Sequence, residues 1–399
     1  MLTSLALIFI VGLAMGAICS RLKLPRIIGM LVTGIVLGPY VLDFLDPSIL
    51  SISEELRKMA LIIILLKAGL SLDIKDLKKA GRPAILLSFV PATCEIIGYI
   101  LFAPAILGIN MIEAAVMGAV LGAVSPAVVV PRMVNLMDRK YGTQKAIPQM
   151  IMAGASCDDI FVIVLFTTFL SMAQGGSAQI LDFVNIPVSI ILGILLGAVV
   201  GYGLYLFFET SYAHKHCVRN SMKVIIVLGF SFLLIAIEGW LKGKISVSGL
   251  LAVVSMACII KMKSTAFVSK RLSEKFGKLW LAAEVMLFVL VGAAIDIRYT
   301  LSAGIAAVLM ILVALIFRAI GVLICMIKTN LTWKERAFCV IAYIPKATVQ
   351  AAIGSVPLAS GLACGKIVLS VAVLAIIITA PLGTIGIDNT YKKFLQKES

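Results

Sequence analysis

Thirteen apolar stretches, most of them long enough to cross a bilayer, take up the greater part of this chain. They run over 2–19, 25–41, 57–72, 83–107, 111–131, 148–172, 186–208, 222–239, 246–262, 278–296, 300–327, 335–355 and 364–387. A spanning helix needs about 20 mainly apolar residues. Inside lipid only helices and closed barrels satisfy their own backbone, and runs of this length are helical. The chain therefore reads as an all-α polytopic membrane protein with about 13 transmembrane helices. Composition agrees, with 61% hydrophobic and only 14% charged residues among 399, against about 45–50% and about 25% in soluble domains. That balance excludes a soluble enzyme, a disordered chain and a disulfide scaffold. The first run lacks a basic leader and a clear small-residue cleavage site, so it is predicted to be a helix and not a signal peptide. No large soluble domain is expected on either side of the membrane part.

The net charge of +15 reflects topology. With the N-terminus outside, alternate loops hold 26 of the 35 Lys and Arg residues on the cytoplasmic side and six on the other; Lys67, Arg318 and Lys346 lie inside spans. Such asymmetry orients membrane proteins, and it predicts an outer N-terminus and a cytoplasmic C-terminus. No basic stretch is interleaved with aromatics as nucleic-acid stacking requires, so no nucleic-acid partner is expected. The eight cysteines are scattered and show no metal spacing. His214 and His216 fall in a charged loop, where solvation is the plain reading. The glycine spacings Gly12/Gly16, Gly34/Gly38 and Gly193/Gly197/Gly201 permit close helix packing.

An internal repeat emerges next. Gly69-Leu70-Ser71-Leu72-Asp73-Ile74-Lys75 ends the third run, and Gly292-Ala293-Ala294-Ile295-Asp296-Ile297-Arg298 ends the tenth. The first and eighth runs begin at positions 2 and 222, close to the same interval. The prolines that break the fifth and twelfth runs, Pro126 and Pro345, keep nearly that interval too. Runs 1–6 thus match runs 8–13, with run 7 as a linker. Seven spans separate the copies, so they start on opposite sides of the membrane. Inverted repeats of this kind are common in secondary transporters, with sites at broken helices near the midplane.

The intramembrane charges then need reasons, since each costs at least about 2.5–3.5 kcal/mol on insertion scales. Asp158 and Asp159 sit in mid-run 6. Adjacent helical residues point about 100° apart, so both carboxylates can face one cavity, where burial and like charge disfavour the ionised form. The same oxygens suit protons and a hard cation such as sodium. Lys346 follows Pro345, which removes a backbone donor and unwinds the helix. Ser125-Pro126 and Pro131 do the same in the mirrored helix. Two unwound helices crossing would bring opposed helix ends together. Lys346 can neutralise such an end or pair with Asp158. Glu95 and Arg318 are separated by the same interval as Gly69 and Gly292, the repeat offset, and are predicted to meet as a salt bridge. Lys67 and Glu284 form a further candidate pair, and Glu113 is placed at the entrance to run 5.

The strings Ser156-Cys157-Asp158-Asp159-Ile160 and Tyr343-Ile344-Pro345-Lys346-Ala347-Thr348-Val349-Gln350-Ala351-Ala352-Ile353-Gly354 resemble the cation–proton antiporter superfamily, and most of all its NHA-type sodium/proton antiporter branch. The resemblance covers nearly the whole chain, from Arg26-Ile27-Ile28-Gly29 onward. It implies the sodium/proton antiporter fold and a homodimer in a lipid bilayer, with no cofactor and no enzymatic activity. It also implies a dimer domain from 1–82 and 222–299, an ion-binding core from 83–172 and 300–399, and a linker helix within 173–221. By that resemblance Asp159 is the main cation and proton carboxylate and Asp158 pairs with Lys346. Glu95 and Arg318 match a structural or gating pair of the branch. Ser125, Ser156 and Thr348 are the candidate supporting residues, though many relatives carry Thr-Asp or Asp-Pro where this chain has Ser125-Pro126. The implied activity is sodium (or lithium)/proton exchange by elevator-like alternating access in the plasma or inner membrane. The alternatives are a potassium/proton antiporter, an ion channel and a sodium-coupled organic-anion symporter. A channel would need a filter-like motif, and an organic-anion site would favour cationic or neutral polar groups over paired acids.

Overall fold

A computed structural model describes residues 1–22, 24–71, 74–175, 180–213, 219–241, 247–296 and 304–398. Its helices are α1 (Leu2–Arg21), α2 (Arg26–Leu37), α3 (Pro47–Ser51), α4 (Ser53–Ser71), α5 (Ile74–Leu87), α6 (Val90–Leu107), α7 (Met111–Leu121), α8 (Pro126–Asp138) and α9 (Ile147–Gln174). They continue as α10 (Ile180–Ala213), α11 (Asn220–Leu241), α12 (Gly249–Lys263), α13 (Ala266–Ala293), α14 (Gly304–Cys325), α15 (Trp333–Ala342), α16 (Thr348–Ile353), α17 (Val356–Ala359) and α18 (Gly365–Phe394). Every one of the thirteen apolar runs carries a helix or a broken helix pair. Among the described residues, nine stretches are long and apolar enough to cross a membrane unaided. The remaining runs are short, like α2 and α12, interrupted, like α15 and α16, or carried on a helix rich in charge, as α4 is with Glu54, Glu55, Arg57, Lys58 and Lys67. His214 and His216, and Leu72, Asp73, Ile297 and Arg298 of the repeated motif, lie outside the described residues.

The chain forms two compact units, residues 1–57, 73–174 and 285–399 in the first and residues 58–72 and 175–284 in the second. In the first, α6 packs along α14, α7 and α5 pack on α9, and α15 packs on α18. A Cβ on Gly98 of α6 would strike Phe317 of α14, and one on Gly321 of α14 would strike Cys94 of α6. Cys94 and Phe317 are equivalent positions at the repeat offset, and so are Gly98 and Gly321. The two close contacts are therefore copies of one another, as a pseudo-two-fold between the repeats demands. Likewise a Cβ on Gly292 would meet Leu31 and Gly34 within the first unit, while one on Gly69 would meet Val254 and Ala257 within the second. These contacts are again equivalent under the repeat. The broken helices also begin alike. Asn110 and Glu113 form a capping box on α7, and Thr332 and Glu335 form one on α15, which satisfies the first free N–H groups reciprocally. Glu113 thus stands at the head of run 5, where the sequence placed it.

In the second unit α10 packs on α12, which also contacts α11. Gly193, Gly197 and Gly201 face Ser248, Ala252 and Met256. Both sets advance in steps of four in the same direction, so the two helices run parallel. Each glycine admits the facing backbone so closely that a Cβ would overlap its carbonyl oxygen. This glycine stripe is thus consumed inside the chain. Gly12 and Gly34 are used similarly in the first unit, where they meet side-chain or backbone atoms of Val289.

Candidate functional site

The helix of run 5 stops at Leu121 and restarts at Pro126, and that of run 12 stops at Ala342 and restarts at Thr348. Each interruption frees backbone groups that lipid cannot satisfy. The two breaks meet, and nearby polar atoms take up those groups. Ser125 N–H donates to the Pro345 carbonyl at 2.8 Å. The carbonyls closing α7 are an electronegative helix end, and they gather donors. Lys346 Nζ donates to Leu121 O, Arg318 Nη1 to Gly122 O at 2.5 Å, and Gln350 Nε2 to Ala123 O at 2.8 Å. Val124 N–H, on the side where α8 begins, donates to Asp158 Oδ2 at 2.7 Å. On the other broken helix, Tyr343 O accepts from Arg318 Nε at 2.5 Å, and Lys346 N–H donates to Thr379 Oγ1 of α18 at 3.0 Å. Ser125 Oγ and Thr348 Oγ1 stand 3.5 Å apart at the repeat offset, on the pseudo-two-fold.

Around this crossing lie four buried, alternately charged side chains. Glu95 Oε2 is 2.7 Å from Arg318 Nη1, the pair expected from the repeat offset. Arg318 Nη2 reaches Asp158 Oδ2 at 3.3 Å. Lys346 Nζ lies 2.7 Å from Glu95 Oε1. The expected pairing of Lys346 with Asp158 is therefore replaced: Lys346 pairs with Glu95 and neutralises the end of α7, while Asp158 pairs with Arg318. The reason is the position of Glu95 on α6, beside the α7 end, where one carboxylate serves both cations.

Asp159 stands apart. Its side chain is 4% exposed, and among the described residues it makes no hydrogen bond or salt bridge. Its Oδ1 is buried without a hydrogen-bond partner, as are Asp158 Oδ1 and Gln350 Oε1. A buried ionised carboxylate without compensation is costly, so Asp159 demands a positive companion or a proton. No cluster of three or more His, Cys, Asp or Glu capable of holding a metal occurs among the described residues.

Thr379, Gln350 and Tyr343 complete the site and were not singled out from the sequence. Thr379 is the repeat counterpart of Ser156, so the repeat offset was the available signal. Ser156 is on α9, but its side chain lies outside the described residues. Tyr343 stacks under Arg318, with 5.6 Å from the guanidinium carbon to the ring centre. Lys67 and Glu284 belong to the second unit. There Lys67 Nζ lies 6.0 Å from the ring centre of Trp280 and interacts electrostatically with Glu284. They are not among the residues gathered at the crossing.

Residues 5–393 match the family described as sodium/hydrogen exchanger, transmembrane. The chain is 34% identical over 394 residues to sodium/hydrogen exchanger 9B2 of Homo sapiens, covering 94% of this chain and 70% of that protein. It is 33% identical over 412 residues to the Xenopus tropicalis 9B2 protein, covering 98% and 74%. In fold it superposes on the sodium proton antiporter MjNhaP1 from Methanocaldococcus jannaschii at pH 8, with a TM-score of 0.82, 19% identity and 98% of both chains covered.

Proposed function

The chain belongs to the sodium/hydrogen exchanger family, and from that premise we propose that it exchanges sodium for protons at the carboxylate of Asp159. It is an integral membrane transporter and not an enzyme. The observation that carries the site assignment is the contrast between Asp159 and its surroundings. Glu95, Asp158, Arg318 and Lys346 compensate one another through short ion pairs. Among the described acids at the crossing, Asp159 alone is buried with no ion pair. A sodium ion or a proton bound there removes the uncompensated charge, and the two compete for the same oxygens. Asp158 Oδ1 and Gln350 Oε1, both buried and without a hydrogen-bond partner, are the other oxygens offered to a cation, with the Ser125 and Thr348 hydroxyls at the crossing behind them. Lithium, small and hard, fits the same oxygen chemistry.

The empty, charged site crosses the membrane least readily, because moving an uncompensated carboxylate through low dielectric is expensive. Loading with either ion lowers that barrier. This competition couples the two fluxes with no second site. The core of 83–172 and 300–399, which contains every residue of the charge network, moves as one body in an elevator-like step against 1–82 and 222–299, which dimerise. The N-terminus faces outward and the C-terminus faces the cytoplasm, as the distribution of Lys and Arg supports.

Proteoliposomes with a trapped pH dye test the reading. A proton gradient is imposed and sodium, lithium or potassium is added. Sodium and lithium dissipate the gradient for the wild type, and Asp159→Asn reduces that rate at least about 100-fold, since the exchanging charge is gone. Dissipation by potassium alone would overturn the sodium assignment. A fully active Asp159→Asn protein would overturn the site.

A further inference from the structure

Where α8 ends and α18 nears its own end, a surface cavity of about 420 Å³ is lined by Arg139, Lys140, Lys392, Lys397, Tyr141 and Tyr391. Asp138 is its one acidic lining residue, so the walls carry a net charge of +3. Among the described residues none of the four cations is within salt-bridge distance of a carboxylate. Three of them are instead held over or against aromatic groups. Lys397 Nζ lies 5.9 Å from the ring centre of Tyr141, and Lys392 Nζ lies 5.9 Å from that of Tyr391. Arg139 Nη1 donates to Tyr391 Oη at 3.2 Å. The two rings meet edge to face at 5.1 Å.

The cavity is also preformed. Gly142 N–H donates to Gln396 O, and Glu398 N–H donates to Lys140 O, both at 2.8 Å. This short antiparallel bridge between Tyr141 and Lys397 fixes residues 396–398 against the loop after α8, and Thr143 Oγ1 donates to Glu398 Oε2 at 2.5 Å. Four cations held together with one carboxylate, Asp138, among the walls leave an excess of positive charge that repels itself. An anion that accepts several hydrogen bonds at once relieves that repulsion.

Depth identifies the source of the anion. The first broken helix restarts beside the crossing at Pro126 and runs on as α8 to Asp138. Thr379 touches the crossing, and α18 carries on from it to Tyr391. Each of these helical stretches rises roughly 18 Å, at about 1.5 Å per residue. The hydrocarbon half-thickness is about 15 Å. A site near the midplane thus places the cavity at headgroup level. We propose that this cavity binds a phosphate group at the membrane surface, supplied by an anionic phospholipid.

The test uses the purified full chain, delipidated in neutral detergent and titrated with phosphatidic acid, phosphatidylcholine or inorganic phosphate, with retention read by native mass spectrometry. Phosphatidic acid binds the wild type, and phosphatidylcholine does not compete with it. Each cation removed weakens binding by about fivefold, so Arg139→Gln/Lys392→Gln/Lys397→Gln lowers affinity roughly 100-fold. Lys393→Gln, on the same helix but outside the cavity, leaves it unchanged. Should the triple variant fold poorly, Lys397→Gln alone gives the fivefold loss. Saturable binding of inorganic phosphate that the same substitutions abolish supports the phosphate site and assigns its source to solution. The proposal is overturned if neither phosphatidic acid nor phosphate binds, or if the substitutions leave binding intact.

Discussion

Asp158 and Asp159 are neighbours in sequence with opposite situations. Asp158 is tied to Val124 N–H and Arg318; Asp159 has no such tie. Neutralising the first removes part of a buried network, whereas neutralising the second removes an uncompensated charge. Thermal melting in detergent should separate them. Asp158→Asn is expected to destabilise by about 2–4 kcal/mol and Asp159→Asn to be neutral or stabilising. Equal losses would mean that Asp159 is structurally paired after all. Glu95 is the one acid of the network that serves both cations, Arg318 and Lys346. Glu95→Gln leaves Lys346 buried without a carboxylate and should cost about 3–5 kcal/mol. The competition proposed at Asp159 also predicts a pH dependence. Where protons outcompete sodium, the apparent KM for sodium should rise about tenfold for each step of one in pH toward acid, with the maximal rate unchanged. Initial rates over a sodium series at several pH values measure this, and a pH-independent KM would argue for separate sites.

At the level of elements, the breaks in runs 5 and 12 work because freed backbone groups find partners. Pro126 opens the helix after one break and Pro345 lies inside the other, and side chains from α6, α14, α9 and α18 stabilise the freed groups. Parallel packing of α10 on α12 rests on a different device. Gly193, Gly197 and Gly201 allow backbone contact along two turns, and a side chain at the central position would overlap Ala252 O. Gly197→Leu should therefore destabilise the second unit by about 1–3 kcal/mol, read as a drop in melting temperature or as protease sensitivity of residues 175–284. A neutral result would mean that the two helices separate easily. Gly203, with open space beside it, is the matched control.

For the molecule as a whole, the pairing of Lys346 decides the charge balance. Lys346 is held by Glu95, and Glu95, Asp158, Arg318 and Lys346 sum to zero. On the exchange proposed at Asp159, Lys346 is expected to keep its proton while Asp159 alone changes occupant. Sodium and proton carry the same charge, so one-for-one exchange moves none. Transport in liposomes should accordingly be unchanged, within about twofold, whether the membrane potential is clamped at zero or at about −100 mV. A charge moved per cycle would gain about 2.3 kcal/mol from such a potential, a large change in driving force. A rate that follows the potential would show that Lys346 gives up its proton.

The amino-acid sequence alone determined the membrane class, the thirteen apolar runs and the repeat. Those follow from local composition and from spacing along the chain. The Glu95–Arg318 bridge was legible too, because two-fold symmetry converts a sequence offset of 223 into proximity. The same offset links Ser125 with Thr348 and Ser156 with Thr379. The sequence could not decide which acid Lys346 takes. Glu95 and Asp158 are both buried acids, and the choice depends on where α6 and α9 stand around the end of α7. Nor could spacing reveal that the carbonyls of Leu121, Gly122 and Ala123 would recruit Lys346, Arg318 and Gln350. Helix ends attract charge over a short range, within about a turn of the terminus, so tertiary packing selects which charges arrive. That selection leaves Asp159, among the described acids at the crossing, as the one without an ion-pair partner.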